Sequence, residues 1–155
     1  MFYGVELVKI KIVFFVLFFI VFLDARNDFQ KLYKGELSLK QEKFLIWVAL
    51  NPKQHKEGLS GIKSLGEKEG MLFSYPFPKT LSFWMKGTLI DLDIAFIKRD
   101  GTVVDIYYMK KEEKKIYSSS QKVALALELN AGRFKKLGLK VGDKIVIPKD
   151  IQDLF

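Results

Sequence analysis

The chain has 155 residues, 49% hydrophobic content, a formal net charge of +8, one histidine and no cysteine. This length fits one domain with a proper core and is too short for two ordinary domains. The lack of cysteine excludes disulfides, thiolate nucleophiles and cysteine metal sites, and the single histidine, His55, argues against zinc.

The first 25 residues form a separate segment. Lys9 and Lys11 precede Ile12 to Leu23, an unbroken apolar run. A positive start followed by a short apolar stretch is typical of a secretory signal peptide, whereas a membrane span needs about 20 apolar residues. Leu23 is large where cleavage favours a small residue. A cleaved export signal and an uncleaved membrane anchor helix therefore both stay open, and both place the domain outside the cytoplasm, in the periplasm or beyond the cell. A buried core helix is the less favoured alternative.

The basic charge does not depend on that segment, which holds two lysines and two acidic residues. Only three arginines occur, at positions 26, 99 and 133, and the lysines are scattered. Arginine is the usual reader of phosphates and bases, so this pattern argues against nucleic acid as a partner. Proximity to anionic lipid headgroups explains the charge at least as well.

Strand signals dominate the rest of the chain. Short apolar runs bounded by Gly, Pro and Asn predict strands over residues 44–50, 71–75, 81–86, 91–97, 102–108, 123–129 and 144–147. One short helix is predicted from Pro52 to Glu57 and one or two helical turns from Asn130 to Leu137. Pro76 and Pro78 are expected to end the second strand. The fold class is therefore mainly β, a single small sandwich or barrel with one or two short helices.

The predicted organisation has four parts. Residues 1–25 are the signal or anchor, residues 26–40 a linker, residues 41–148 the β domain, and residues 149–155 a short tail.

Two hairpins are predicted in the centre of the domain. Arg99-Asp100-Gly101 fits a three-residue loop, which would place Phe96 beside Val104 and Ile94 beside Ile106. A turn through residues 87–90 would place Trp84 opposite Asp93.

Because side chains alternate along a strand, several polar and charged residues are then predicted to share one face of the sheet. It contains an indole, an ammonium and two carboxylates, from Trp84, Lys86, Asp91 and Asp93, with Ser82 beside them. Its functional interpretation is a ligand groove, with Trp84 as a stacking floor and the charged groups as polar handles. The structural interpretation is a cross-strand ion pair covered by a tryptophan, which stabilises a sheet by less than about 1 kcal/mol per pair.

Motifs over about two-thirds of the chain resemble a known family, domain of unknown function number 192. The matching pieces, in order, are Gly58-Leu59, Gly70-Met71-Leu72-Phe73, Phe83-Trp84-Met85-Lys86 with Thr88, Leu92-Asp93-Ile94 with Phe96, Gly101 with Val103-Val104, Leu127-Glu128-Leu129 with Ala131-Gly132, and Gly138 with Gly142-Asp143. The resemblance implies a compact, mostly β, exported domain and no established activity, cofactor or catalytic residue. Gly87 departs from the pattern, where relatives usually carry asparagine.

Three hypotheses follow. The first is a non-catalytic module that binds a small molecule, envelope component or partner protein, with candidate ligand-binding residues Trp84, Lys86, Thr88, Asp91, Asp93 and Glu128. The second is an envelope hydrolase or lyase that uses the carboxylates Asp91, Asp93 and Glu128 as an acid and base. The third is a purely structural module. We expect no metal and no cofactor, we favour the non-catalytic module, and the oligomeric state is not predicted.

Overall fold

The computed structural model describes residues 31–154, and the predicted signal or anchor segment lies outside them. Among residues 31–154, no helix is both long enough and apolar enough to cross a membrane. From Tyr33 onward the chain forms one compact unit. Eight strands and three short helices make up the described part of the chain.

The strands are β1 (Tyr33–Leu39), β2 (Glu42–Ala49), β3 (Glu69–Lys79), β4 (Ser82–Trp84), β5 (Leu92–Ile97), β6 (Val103–Met109), β7 (Ile116–Ser118) and β8 (Val123–Asn130). The helices are α1 (Pro52–Glu57), α2 (Arg133–Leu137) and α3 (Lys149–Gln152).

Six strands form one mixed sheet in the order β1-β2-β3-β8-β5-β6. Only the β2–β3 pair is parallel, and the other neighbours are antiparallel. Strands β4 and β7 pair separately as a two-stranded ribbon. The prediction of a mainly β domain with short helices is confirmed. The main sheet is open, with β1 and β6 at its edges, rather than a closed barrel.

Each face of the sheet has its own apolar layer. The first face carries Leu127 and Ala95, which pack with Phe134 of α2 and Ile151 of α3. The second face carries Phe73 and Phe96, against which Phe83 of the ribbon packs, with ring centroids 4.9 and 5.8 Å apart. Because side chains alternate along a strand, the parity of a residue decides which layer it joins.

Several element predictions are corrected. Residues 33–39 of the predicted linker form β1, because Leu37 and Leu39 pair with β2 and bury their side chains. Strand β3 continues past both prolines to Lys79, with an irregularity between Ser74 and Lys79 that accommodates them. The predicted strand 144–147 makes only a single bridge, from Lys144 to Thr102. The predicted tail contains α3.

The hairpin after β5 combines a correct loop with a wrong register. Lys98 and Thr102 close a three-residue loop in which Gly101 adopts φ +86°, as predicted. However, Ile97 pairs with Val103 and Phe96 pairs with Asp105, so Val104 is an extra residue in β6. This bulge shifts every later pair of the hairpin by one position. The residues of β6 that were predicted to point to one face of the sheet therefore point to the other face.

Candidate functional site

A cleft of about 630 Å³ opens on the second face of the sheet. Phe73 and Tyr75 of β3 and Glu128 of β8 form its floor. One wall is α1 with the loop that follows it, and the other wall is β4 with the loop from Met85 to Thr88. This volume lies within the range of small-molecule sites.

Helix α1 is short, and side-chain hydrogen bonds stabilise its start and connect it to the sheet. Asn51 and Gln54 form a capping box, in which the Asn51 side chain accepts from the Gln54 N–H at 3.0 Å and the Gln54 side chain accepts from the Asn51 N–H at 3.2 Å. Two carbonyls, from Ala49 and Ser74, lie 3.1 and 3.0 Å from His55 Nε2. Both partners are acceptors, so Nε2 carries a proton and donates to them. This clamp joins α1 to β2 and β3.

The His55 side chain is therefore partly enclosed in this wall. Its ring is half-buried and stacks on Tyr75, with centroids 4.1 Å apart. Burial lowers the pKa of His55, and the nearby Lys79 charge adds to that effect. The imidazole is thus an uncharged part of the cleft wall at neutral pH.

The two walls are tied together at one end. The Gly61 N–H donates to the Gly87 carbonyl at 2.8 Å, and Ser60 Oγ donates to the same oxygen at 3.2 Å. Gly87 has φ +77°, and a Cβ there would lie 2.7 Å from Ser60 Oγ. The glycine that departs from the family pattern therefore permits this contact.

Glu128 is the most unusual group in the cleft. Its side chain is 5% exposed and points to the same face as its paired neighbours, Met71 and Ile94. No donor among residues 31–154 hydrogen-bonds its carboxyl, and burial alone raises its pKa to about 8. A buried carboxyl without a hydrogen-bond partner among these residues is costly for a fold.

The structure brings four of the six predicted site residues to this cleft, namely Trp84, Lys86, Thr88 and Glu128. Trp84 is 58% exposed on β4, and the Lys86 ammonium lies 5.5 Å from the centroid of its ring. Thr88 is buried behind Lys86. These residues come from β4, the loop after it and β8.

The two aspartates lie elsewhere, so the predicted face of Trp84, Lys86, Asp91 and Asp93 is wrong. Strand β4 pairs with β7, which places Trp84 opposite Ile116 rather than Asp93. Asp93 pairs with Leu129 and points to the first face, where it accepts from the Phe134 N–H at 3.2 Å. Burial raises the pKa of Asp93, and backbone N–H groups at the start of α2 oppose that shift.

Asp91 is held at the edge of the sheet. It accepts from the Lys111 N–H at 2.8 Å and from the Tyr108 hydroxyl at 2.9 Å. These bonds, the Lys111 N–H first, lower the pKa of Asp91. The three carboxylates therefore have different surroundings: Asp91 bonds Tyr108 and Lys111, Asp93 bonds the start of α2, and Glu128 lies in the cleft on the other face.

Sequence reasoning missed the aromatic and basic residues that complete the cleft. They are His55, Phe73, Tyr75, Lys79 and Phe83. The local sequence signals only that Phe73 and Phe83 are apolar, and their meeting depends on the ribbon folding over the sheet. Among residues 31–154, no group of His, Asp and Glu side chains is placed to hold a metal ion.

Comparison with known proteins decides the family. The model of DUF192, described as "Uncharacterized ACR", matches residues 36–147. The chain belongs to the DUF192 family. The resemblance found in the motifs is thereby confirmed, and the matched range includes both walls and the floor of the cleft.

Two solved structures are similar in both fold and sequence. One is a candidate transcription regulator from Sinorhizobium meliloti 1021, with a TM-score of 0.69, 30% identity, and coverage of 74% of this chain and 94% of that chain. The other is a protein of unknown function from Novosphingobium aromaticivorans DSM 12444, with a TM-score of 0.67, 29% identity and coverage of 74% and 83%. No curated protein matches this DUF192 chain.

Proposed function

We propose that this DUF192 domain is a non-catalytic module that binds a small molecule in the cleft between α1 and β4. The observation that carries the proposal is Glu128, a buried carboxyl without a hydrogen-bond partner in the described chain, at the floor of a cavity of about 630 Å³. A bound molecule that donates a hydrogen bond would remove the cost of that burial.

The rim supports the same proposal. Trp84 presents an exposed indole face beside the opening, and Lys86 lies over it. A flat, amphipathic side chain at the mouth of an aromatic cleft is suited to stack on a ligand. We favour binding over the alternative of an envelope hydrolase or lyase, because Glu128 lines the cleft whereas Asp93 points to the opposite face of the sheet.

The name of the Sinorhizobium relative invites a nucleic-acid function, but the arginines of this chain do not favour it. Arg133 is 5% exposed and pairs with Glu42 at 2.8 Å and Glu67 at 2.9 Å. Arg99 donates to the carbonyls of Tyr75 and Pro76. Both described arginines are thus engaged within the domain rather than presented to phosphates.

We also infer that the module works outside the cytoplasm, with the N-terminal apolar run as its export signal or anchor. The support is the sequence pattern of Lys9, Lys11 and residues 12–23. Alkaline phosphatase fused after residue 40 should be active in bacterial cells, because this enzyme folds only after export. The same fusion without residues 1–25 should be inactive, and activity without that segment would contradict the inference.

Trp84→Ala should weaken binding of any cleft ligand about fivefold or more, because stacking on an indole contributes roughly 1–3 kcal/mol. Ile116→Ala is the matched control, since Ile116 pairs with Trp84 on the same ribbon, is 62% exposed and does not line the cleft. A fragment screen by ligand-observed NMR on the full-length chain provides the ligands, and calorimetry provides their affinities.

The two variants have distinct outcomes. Loss of affinity in Trp84→Ala with wild-type affinity in Ile116→Ala supports the cleft as the binding site. Equal affinities in all three proteins, with unchanged circular dichroism spectra, would remove the proposal. A screen that yields no cleft ligand would remove it as well.

A further inference from the structure

The cleft of this domain separates its charges by depth. Glu128 lies at the floor, and Lys56, Lys79 and Lys86 lie around the opening. None of these lysines forms an ion pair with a carboxylate within residues 31–154, in contrast to Lys40, Lys43 and Lys136, each of which does. Glu57 also lines the cleft but pairs with Lys53 at 3.8 Å, so the opening is positive on balance and the floor is acidic.

Glu128 has no ion-pair partner among the described residues, although the chain is rich in lysine and arginine. The protein has 26 lysines and arginines, yet none of those described pairs with Glu128. Gly70 lets β3 approach β8 so closely that a Cβ would lie 2.6 Å from the Glu128 carbonyl oxygen.

Two lysines that line the cleft are held over aromatic rings instead. The Lys79 ammonium lies 4.4 Å from the centroid of the Tyr75 ring, and the Lys86 ammonium lies 5.5 Å from that of Trp84. These cation–π contacts hold both ammonium groups over rings. The two ammonium groups can then contact an anion at the opening of the cleft. Glu128 at the floor would be paired by a cationic group from the ligand.

The floor and walls around Glu128 are mainly aromatic. Phe73 and Phe83 meet edge to face at 4.9 Å, and the Tyr75 ring stacks on His55. Such walls suit a ring or a short apolar chain as the middle part of a ligand.

We propose that the cleft takes an amphoteric small molecule, with a protonated amine at its inner end against Glu128 and an anionic group at its outer end among the rim lysines. This inference rests on the proposed binding function and adds the chemical class of the ligand. The inner contact is a charge-assisted hydrogen bond, the strongest kind available to a buried carboxylate. The outer contacts are solvent-exposed and contribute less.

Proton release accompanies the inner contact. Burial raises the pKa of Glu128 to about 8, so the free carboxyl holds a proton at neutral pH. An ammonium group must displace that proton, and its affinity therefore rises about tenfold per pH unit up to about pH 8. The other titratable groups that line the cleft are His55, Lys56, Glu57, Tyr75, Lys79 and Lys86. Tyr75 is protonated throughout this range, because burial raises its pKa to about 12.

The test uses three probes that share one ring. They are 4-(aminomethyl)benzoate, which carries both charges, 4-methylbenzylamine, which carries only the amine, and 4-methylbenzoate, which carries only the carboxylate. Calorimetry at pH 7.5 on the full-length chain in mild detergent should show 4-(aminomethyl)benzoate binding at least tenfold more tightly than either of the others, with release of a proton.

Two variants assign the charges. Glu128→Gln should reduce the affinity of 4-(aminomethyl)benzoate about tenfold, to that of 4-methylbenzoate, and should abolish proton release. Asp93→Asn is the matched control, because it changes a buried carboxyl on the opposite face and should leave all three affinities unchanged.

The inference fails if 4-(aminomethyl)benzoate binds no better than 4-methylbenzoate, or if its advantage persists in Glu128→Gln. Failure of the charge assignment is distinguishable from failure of the binding function. If uncharged 4-methylbenzyl alcohol binds as tightly as the three probes, and Trp84→Ala weakens the binding of every compound, then only the charge assignment is wrong. No binding by any of these compounds overturns the charge assignment, and the wider fragment screen then decides the binding function.

Discussion

Glu128→Gln should make the protein more stable at pH 8 while leaving its stability near pH 4 unchanged. Burial raises the pKa of Glu128 from an ordinary value of 4.5 to about 8. Between those values the folded protein keeps a proton that the unfolded chain has released. The free energy of unfolding therefore falls as pH rises, by about 1.4 kcal/mol per pH unit from this group alone.

The amide of glutamine resembles the protonated acid and does not titrate. The variant should consequently gain several kcal/mol over the wild-type protein at pH 8, on the order of the full linkage effect. Urea unfolding at half-unit intervals from pH 4 to pH 8.5 measures the difference. The gain should level off above about pH 8, where both states of the wild-type protein are ionised.

Glu67→Gln is a control for which we expect the opposite change in stability, a loss rather than a gain. The Glu67 carboxylate pairs with Lys136 and Arg133, which lowers its pKa. Its contribution to stability is present at neutral pH and is lost as the pH falls through its lowered pKa, so this variant should be the less stable one at neutral pH. Parallel pH profiles for wild type and Glu128→Gln would show that Glu128 is not buried as an acid.

Gly101→Ala should destabilise the domain by about 3 kcal/mol or more. Gly101 adopts φ +86°, and a Cβ there would lie 2.1 Å from the carbonyl oxygen of Ile145. Gly101 and Ile145 are also joined by a backbone hydrogen bond, in which the Ile145 N–H donates to the Gly101 carbonyl at 2.9 Å. The substitution therefore adds a backbone clash to the cost of a left-handed alanine.

Gly142→Ala separates the two costs. Gly142 has φ +92°, yet a Cβ there would meet no atom within 4 Å. This variant should lose only about 1 kcal/mol, the conformational cost alone. Thermal unfolding of both variants at one pH measures the difference, and equal losses would show that the approach of Ile145 to the hairpin is not close in solution.

Local sequence signals predicted the elements of this DUF192 domain well and their partners poorly. The apolar runs located β2, β5, β6 and β8, and the prolines and glycines located α1 and the end of α2. These signals act within a few residues. The pairing of β4 with β7 joins segments more than 30 residues apart, so no turn motif near Trp84 could reveal it.

A single extra residue explains the largest error in the predicted register. The loop at Gly101 was correct, but the bulge at Val104 opposes Phe96 to Asp105. A bulge inserts one residue without a distinctive local pattern. By contrast, the strand predicted over residues 123–129 needed only its own apolar neighbours, and Glu128 lies within it.

The parallel pairing of β2 with β3 has a further consequence. Two parallel neighbours need a chain that returns to the starting end of the sheet, and residues 50–68 make that return. The same stretch supplies one wall of the cleft, whereas the strands fix the floor. A change in this return segment would therefore reshape one wall of the cleft while leaving the strands beneath it as they are.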